Sequence, residues 1–136
     1  MDPGRLIRNP VFSELDQREL TALAALATQE SYAVGAQLVR QGDFSYELYV
    51  IEEGTAAVLR DGREIAQVGP GDVIGEIGVL ERTKRNADIV VKEPMLAIKI
   101  THWEIERLSN ETRAKLQAIA AKHKDSDEAA PGPVLD

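Results

Sequence analysis

The stretch GDVIGEIGVLERTKRNADIVV, residues 71–91, closes one apolar strand at Ile74 and opens another after Arg85. Glu76 and Arg85 stand at the two ends of the loop between them. An unpaired charge next to buried segments is costly, so the two either pair with each other or meet a ligand. Gly75 and Gly78 let backbone approach a bound group closely. Glu76 to Leu80 can form one helical turn, whose free N–H groups favour an anion. Strand alternation puts Arg85 on the side of Ala87, Ile89 and Val91, an apolar side that faces inward. A guanidinium there suits a phosphate or a carboxylate, and Glu76, an acceptor only, suits a hydroxyl.

Outward from this loop, residues 31–100 alternate short apolar runs with turn residues, which predicts a strand-rich sandwich or jelly roll. Asp61-Gly62 suits a two-residue hairpin turn between AAVLR and REIAQV. LYVI, residues 48–51, is apolar on both faces and predicts a central strand. Helices flank this region. Asp16 and Glu19 form a capping box, with Leu15 and Leu20 as its staple, and predict a helix over about residues 17–28. Its inner face carries Leu20, Leu23, Ala24 and Ala27. Thr101 with Glu104, and Ile100 with Ile105, start a short helix that buries Trp103, Ile105 and Leu108; Trp103 reads as a core anchor and His102 as exposed. After a break at Ser109-Asn110, a helix over about 111–123 carries Leu116, Ile119 and Ala120 on one face, which serves as core, lid or dimer seam. His123 suits the dipole at that helix's end. The domain therefore runs over 1–123, and 124–136 reads as a disordered acidic tail.

The net charge of −7 argues against nucleic acid or an anionic membrane as the main partner. With no cysteine there is neither a disulfide framework nor thiolate chemistry. The N-terminus lacks an apolar targeting segment and no run is long enough to span a bilayer, so a cytoplasmic protein is expected. A cupin-type metal enzyme would need two or three histidines; 31–100 contains none, so neither an enzyme nor a metal site is expected.

The loop resembles the phosphate-binding cassette of cyclic nucleotide-binding domains, the sensor modules of catabolite-activator-type regulators, protein kinase A regulatory subunits and cyclic-nucleotide-gated channels. The family pattern is an apolar residue, Gly-Glu-x-(Gly/Ala/Ser)-apolar, a short loop, then Arg-(Ser/Thr/Ala)-Ala-x-apolar. Here it is met by Ile74, Gly75, Glu76, Gly78 and Val79, then Arg85, Ala87 and Ile89. A second signature matches at Leu38-Val39, Gly42-Asp43, LYVI and Gly54, and Gly71-Asp72 also agrees. The likeness covers roughly residues 6–122.

The resemblance implies a double-stranded β-helix, the jelly roll, between an N-terminal helix and C-terminal helices. It implies that Arg85 pairs with a cyclic phosphate and Glu76 accepts from the ribose 2′-hydroxyl. Backbone N–H groups near Ile77, Gly78 and Asn86 would complete the cradle, with Gly75 and Ala87 beside it. Val58, Ile65, Ala66 and Ile74 would pack the sugar and purine, and Leu116 or Ile119 would lid the base. The resemblance implies cAMP or cGMP as the regulatory ligand, with cAMP the first expectation and no metal. Two positions depart from the pattern. Asn86 stands where the family carries Ser, Thr or Ala, and can bond the phosphate or purine or crowd the cradle; Ser45 replaces a small residue before LYVI. The implied function is a stand-alone sensor acting on an unknown effector protein in trans, because no output segment comes after the helices, unless the sequence is a fragment of a larger protein; a homodimer is left open. The alternative is a degenerate domain that keeps the fold as an interaction scaffold, with Glu76 and Arg85 as a structural ion pair.

Overall fold

The computed structural model describes residues 1–44, 46–75 and 85–122. Helix α1, Pro3–Ile7, starts on Asp2, whose carboxylate accepts the Gly4 N–H at 3.0 Å. Pro3 suits a first turn whose N–H groups lack intrahelical partners. The sequence patterns used above do not mark this helix. A 3₁₀ turn, Pro10–Phe12, comes next and starts on Asn9. Helix α2, Gln17–Leu26, has the capping box expected: Asp16 Oδ1 accepts the Glu19 N–H at 2.8 Å and Glu19 Oε1 accepts the Asp16 N–H at 2.9 Å. It ends two residues before the expected limit. Ala27 is already extended, and strand pairing with Lys99 begins at Thr28.

Eight strands come after α2: β1 Thr28–Tyr32, β2 Gln37–Val39, β3 Glu47–Glu53, β4 Ala56–Arg60, β5 Arg63–Val68, β6 Val73–Ile74, β7 Asp88–Val91 and β8 Met95–Thr101. They form two antiparallel sheets, ordered β1-β8-β3-β6 and β2-β7-β4-β5. The fold is mainly β, the expected jelly roll with flanking helices. Asp61 and Gly62 both have positive φ, as the tight β4–β5 turn requires.

β3 explains the two-sided apolar run. It lies between β8 and β6, with Leu48 and Val50 in the core shared with the helices. Tyr49 and Ile51 join the core inside the roll. β8 divides likewise, Ile98 and Ile100 toward the helices, Met95 and Ala97 toward the roll. Gly54 permits the close approach of the β3–β4 and β7–β8 turns. Its φ is +91°, and a Cβ there would lie 2.4 Å from the Pro94 carbonyl oxygen.

Helix α3, His102–Ile105, begins on the Thr101–Glu104 capping box, and helix α4 spans Asn110–Lys122. Leu116, Ile119 and Ala120 are buried with Leu20, Leu23 and Ile98, so this face of α4 is core. Trp103 is not the anchor expected: it is 57% exposed, while Ile105 and Leu108 face inward. His102 is half-buried rather than exposed. His123 and the tail lie outside the described residues. Among those described, no helix is long and apolar enough to cross a membrane.

Helices α2 and α4 are joined by a polar cluster. Glu19 Oε1 accepts from Lys115 Nζ at 2.9 Å, and Oε2 accepts from the Thr112 hydroxyl at 3.3 Å. The Lys115 hydrogen bond first, then the Asp16 N–H, hold the Glu19 carboxyl below its ordinary value.

Gly54→Ala should destabilise the fold by about 3 kcal/mol or more, read by urea unfolding, because strain and backbone overlap act together. The Glu19 cluster should respond to pH. A carboxyl with a depressed folded pKa contributes stability that is fully present above its unfolded value and lost as pH falls through the folded one. The Glu19 contribution should therefore fade below the ordinary 4.5. Glu19→Gln should be less stable than the parent near neutrality, and the gap should narrow in acid; a gap independent of pH would refute the assignment.

Candidate functional site

Arg85 sits just before β7, and burial alternates from it: Arg85, Ala87, Ile89 and Val91 are all buried. The inward placement expected from strand alternation is what the structure has. The side chain is 6% exposed. Its Nη2 donates to the Glu47 carbonyl at 2.7 Å. Its backbone N–H donates to the Asp43 carbonyl at 2.7 Å, and its carbonyl accepts from the Gly42 N–H at 2.9 Å. The Arg85 backbone is thus tied to the β2–β3 loop, while its guanidinium reaches the start of β3.

Gly75 forms the opposite wall. Its φ is +104°, and a Cβ there would lie 2.6 Å from the Glu47 carbonyl oxygen and 2.8 Å from Arg85 Nη1. Only glycine lets the β6 end pass this close to the cation. Gly75 and Arg85 therefore meet in space although ten positions separate them in the chain. Glu76, Ile77 and Gly78 lie outside the described residues, as does Ser45.

The predicted apolar positions come together. Val58 on β4, Ile74 on β6 and Ala87 before β7 belong to the roll core, with Ile65 and Ala66 of β5 packed against it. Leu116 and Ile119 do not join them. Both lie in the helix-side core, where helical spacing turns them toward α2, so neither lids this wall. Asn86 is half-buried beside Arg85. Its carbonyl accepts from Arg60 Nε at 3.1 Å, while its Oδ1 is buried without a hydrogen-bond partner. Such an acceptor is held at a cost that a donor from a ligand would relieve.

Several contributors carried no sequence signal. Glu47 acts through its carbonyl, which any residue could supply. Tyr49 fills the roll, its ring edge-on to Tyr32 at 6.2 Å. Burial, then the nearby carboxylates Glu30 and Glu47, pushes the Tyr32 phenol up to about 12. Burial first and Glu47 second raise Tyr49 as well. Both phenols therefore stay protonated at neutral pH, and the Tyr49 hydroxyl donates to the Leu38 carbonyl at 3.5 Å. Among the described residues, no three His, Cys, Asp or Glu gather as a metal site. Two clefts, of about 450 and 430 Å³, lie beside α1 and between α2 and α4, away from Arg85. The geometry around Arg85 offers a buried cation, a close approach at Gly75 and an apolar wall, a chemistry suited to an anionic group joined to an apolar one.

The family model described as cyclic nucleotide-binding domain matches residues 29–112. Glutaminase 2 of Bradyrhizobium diazoefficiens is 32% identical over 110 residues, 78% of this chain and 18% of that protein. The cAMP-dependent protein kinase regulatory subunit of Schizosaccharomyces pombe is 32% identical over 84 residues, 61% of this chain and 20% of the relative. The chain thus spans about a fifth of the length of these two relatives. Among solved structures, the N-terminal domain of a transcriptional regulator from Streptomyces coelicolor A3(2) superposes with a TM-score of 0.70 at 30% identity, covering 89% of each chain.

Removing the guanidinium leaves the Glu47 carbonyl without this donor. Arg85→Ala should cost about 1–3 kcal/mol of stability in urea unfolding, measured without ligand. Arg85→Lys should recover only part of this, since an ammonium lacks the planar fork.

Proposed function

Because the chain belongs to the cyclic nucleotide-binding domain family, we propose that it binds a purine cyclic nucleotide at the Arg85 wall, cAMP in preference to cGMP. The observation that carries this reading is the buried Arg85 guanidinium packed against Gly75, beside the apolar group Val58, Ile74 and Ala87. In this reading Arg85 pairs with the cyclic phosphate. Val58, Ile65, Ala66 and Ile74 contact sugar and base, with Gly75 and Ala87 alongside. Glu76 takes the ribose hydroxyl, and the N–H groups around Ile77, Gly78 and Asn86 complete the cradle. A preference for cAMP is supported by the kinship with a regulatory subunit named cAMP-dependent.

In this reading the domain is a regulatory sensor whose output passes to an effector. Ligand binding changes that output only if the nucleotide favours one arrangement of the domain over another. Arg85 supplies a candidate for the difference: its Nη2 now donates to the Glu47 carbonyl, and a phosphate would compete for the same N–H.

Isothermal titration with cAMP and cGMP tests the reading. Both should bind, cAMP more tightly, and Arg85→Ala should weaken binding about a hundredfold through loss of a charge-assisted fork. Asn86→Thr should change the ratio of the two affinities by about fivefold or more, if the buried Oδ1 faces the ligand. Absence of heat and of any thermal shift at millimolar concentrations of both nucleotides would refute the sensor reading and leave the scaffold.

A further inference from the structure

Five large hydrophobic side chains are exposed among the described residues, and three of them form one cluster. Phe44 is 45%, Tyr46 36% and Trp103 57% exposed. The Tyr46 and Trp103 rings stack, with centroids 5.5 Å apart and planes 19° apart. Phe44 lies 6.3 Å from Tyr46, and His102 packs 4.6 Å from Trp103. Scattered exposed hydrophobics are ordinary on a monomer, whereas contiguous aromatic rings mark interaction surfaces.

The backbone holds these rings in place. The His102 N–H donates to the Tyr46 carbonyl at 2.8 Å, which fixes α3 to the start of β3. The Tyr46–Trp103 stack is therefore anchored on both sides by main chain, which lowers the ordering cost of contact.

Charge selects the partner. Exposed Asp43 adjoins Phe44, and the Glu106 carboxylate lies 3.9 Å from His102 Nδ1. Arg107, the next cation along the chain, lines the cleft between α2 and α4 instead. Aromatic faces flanked by carboxylates attract a cation through the ring quadrupole and the ion pair together. A net charge of −7 acts in the same direction and disfavours an anionic occupant.

We propose that Phe44, Tyr46 and Trp103, with Asp43 and Glu106, form a docking surface for an arginine-bearing segment of a partner protein. The occupant is a protein segment because the surface is a shallow stack of rings across two elements, suited to side chains laid over it. The proposal does not depend on which ligand meets Arg85. The surface nevertheless shares a loop with that residue: Asp43 accepts from the Arg85 N–H, and Glu47, next to Tyr46, accepts from its guanidinium.

Trp103 is the sole tryptophan, so its emission reports on this surface directly. The test titrates the whole chain with acetyl-Arg-Arg-Arg-amide at low salt, following Trp103 emission and backbone NMR shifts. The expected result is a saturable change, with shifts centred on residues 43–47 and 101–106. Tyr46→Ala, and separately Asp43→Asn with Glu106→Gln, should weaken the peptide about threefold to fivefold. Folding of each variant is checked by its unchanged remaining shifts. An equal response to acetyl-Glu-Glu-Glu-amide, or shifts centred elsewhere, would overturn the proposal. So would concentration-dependent dimerisation in sedimentation that Trp103→Ser abolishes, since the occupant would then be a second copy.

Discussion

One strand serves two cores. β3 must bury Leu48 and Val50 against the helices and Tyr49 and Ile51 inside the roll, so neither face can meet water. That constraint fixes its place in the sheet interior, between β8 and β6. It also fixes the position of the Glu47 carbonyl at the strand's start. Arg85 reaches that carbonyl from the other sheet's side of the roll, and Gly75 leaves the room for it. The candidate site is thus set by the packing of a strand that contributes no ionised group to it. A slip of β3 by one residue would exchange its two faces and remove the acceptor together.

The buried cation has a physical rationale within this frame. A guanidinium removed from water needs acceptors around it, and a backbone carbonyl supplies one without adding charge. Glu47 does so through its main chain, while the backbone of Arg85 is fixed by Gly42 and Asp43. Such a side chain is held in one geometry before any ligand arrives, which lowers the ordering cost of binding. The aromatic surface lies next to these contacts: Asp43 and Glu47 meet Arg85, and their neighbours Phe44 and Tyr46 belong to the ring cluster.

Much of this is legible in the sequence where local chemistry and tertiary packing agree. Both capping boxes, the Asp61-Gly62 turn, the two-sided β3 and the inward Arg85 all come from short-range rules. The misses have separate causes. Trp103 sits in a helix of four residues, too short for periodicity to assign a face, and Ile105 and Leu108 take the inner positions. Helix α1 is a single turn, and its Asp2-Pro3 start is the signal that could have found it. The end of α2 is cut short by pairing of Thr28 with β8, a contact with a strand remote in the chain. Glu47 cannot be singled out from sequence, because a carbonyl leaves no trace in residue identity. Leu116 and Ile119 are apolar at the right spacing for either lid or core, and only tertiary structure distinguishes the two.

The pairing of β1 with β8 has a consequence for how such a unit is used. The chain enters the barrel on one strand and leaves it on the adjacent one, in antiparallel register from Thr28↔Lys99 to Tyr32↔Met95. Entry and exit are therefore side by side, at Thr28 and Lys99, on the end of the roll where the helices attach. A module closed in this way can be spliced into a longer polypeptide without pulling its ends apart. Tension between the segments on the N-terminal side of β1 and the C-terminal side of β8 is borne first by the contacts between α2 and α4 and then by the β1–β8 ladder of main-chain hydrogen bonds.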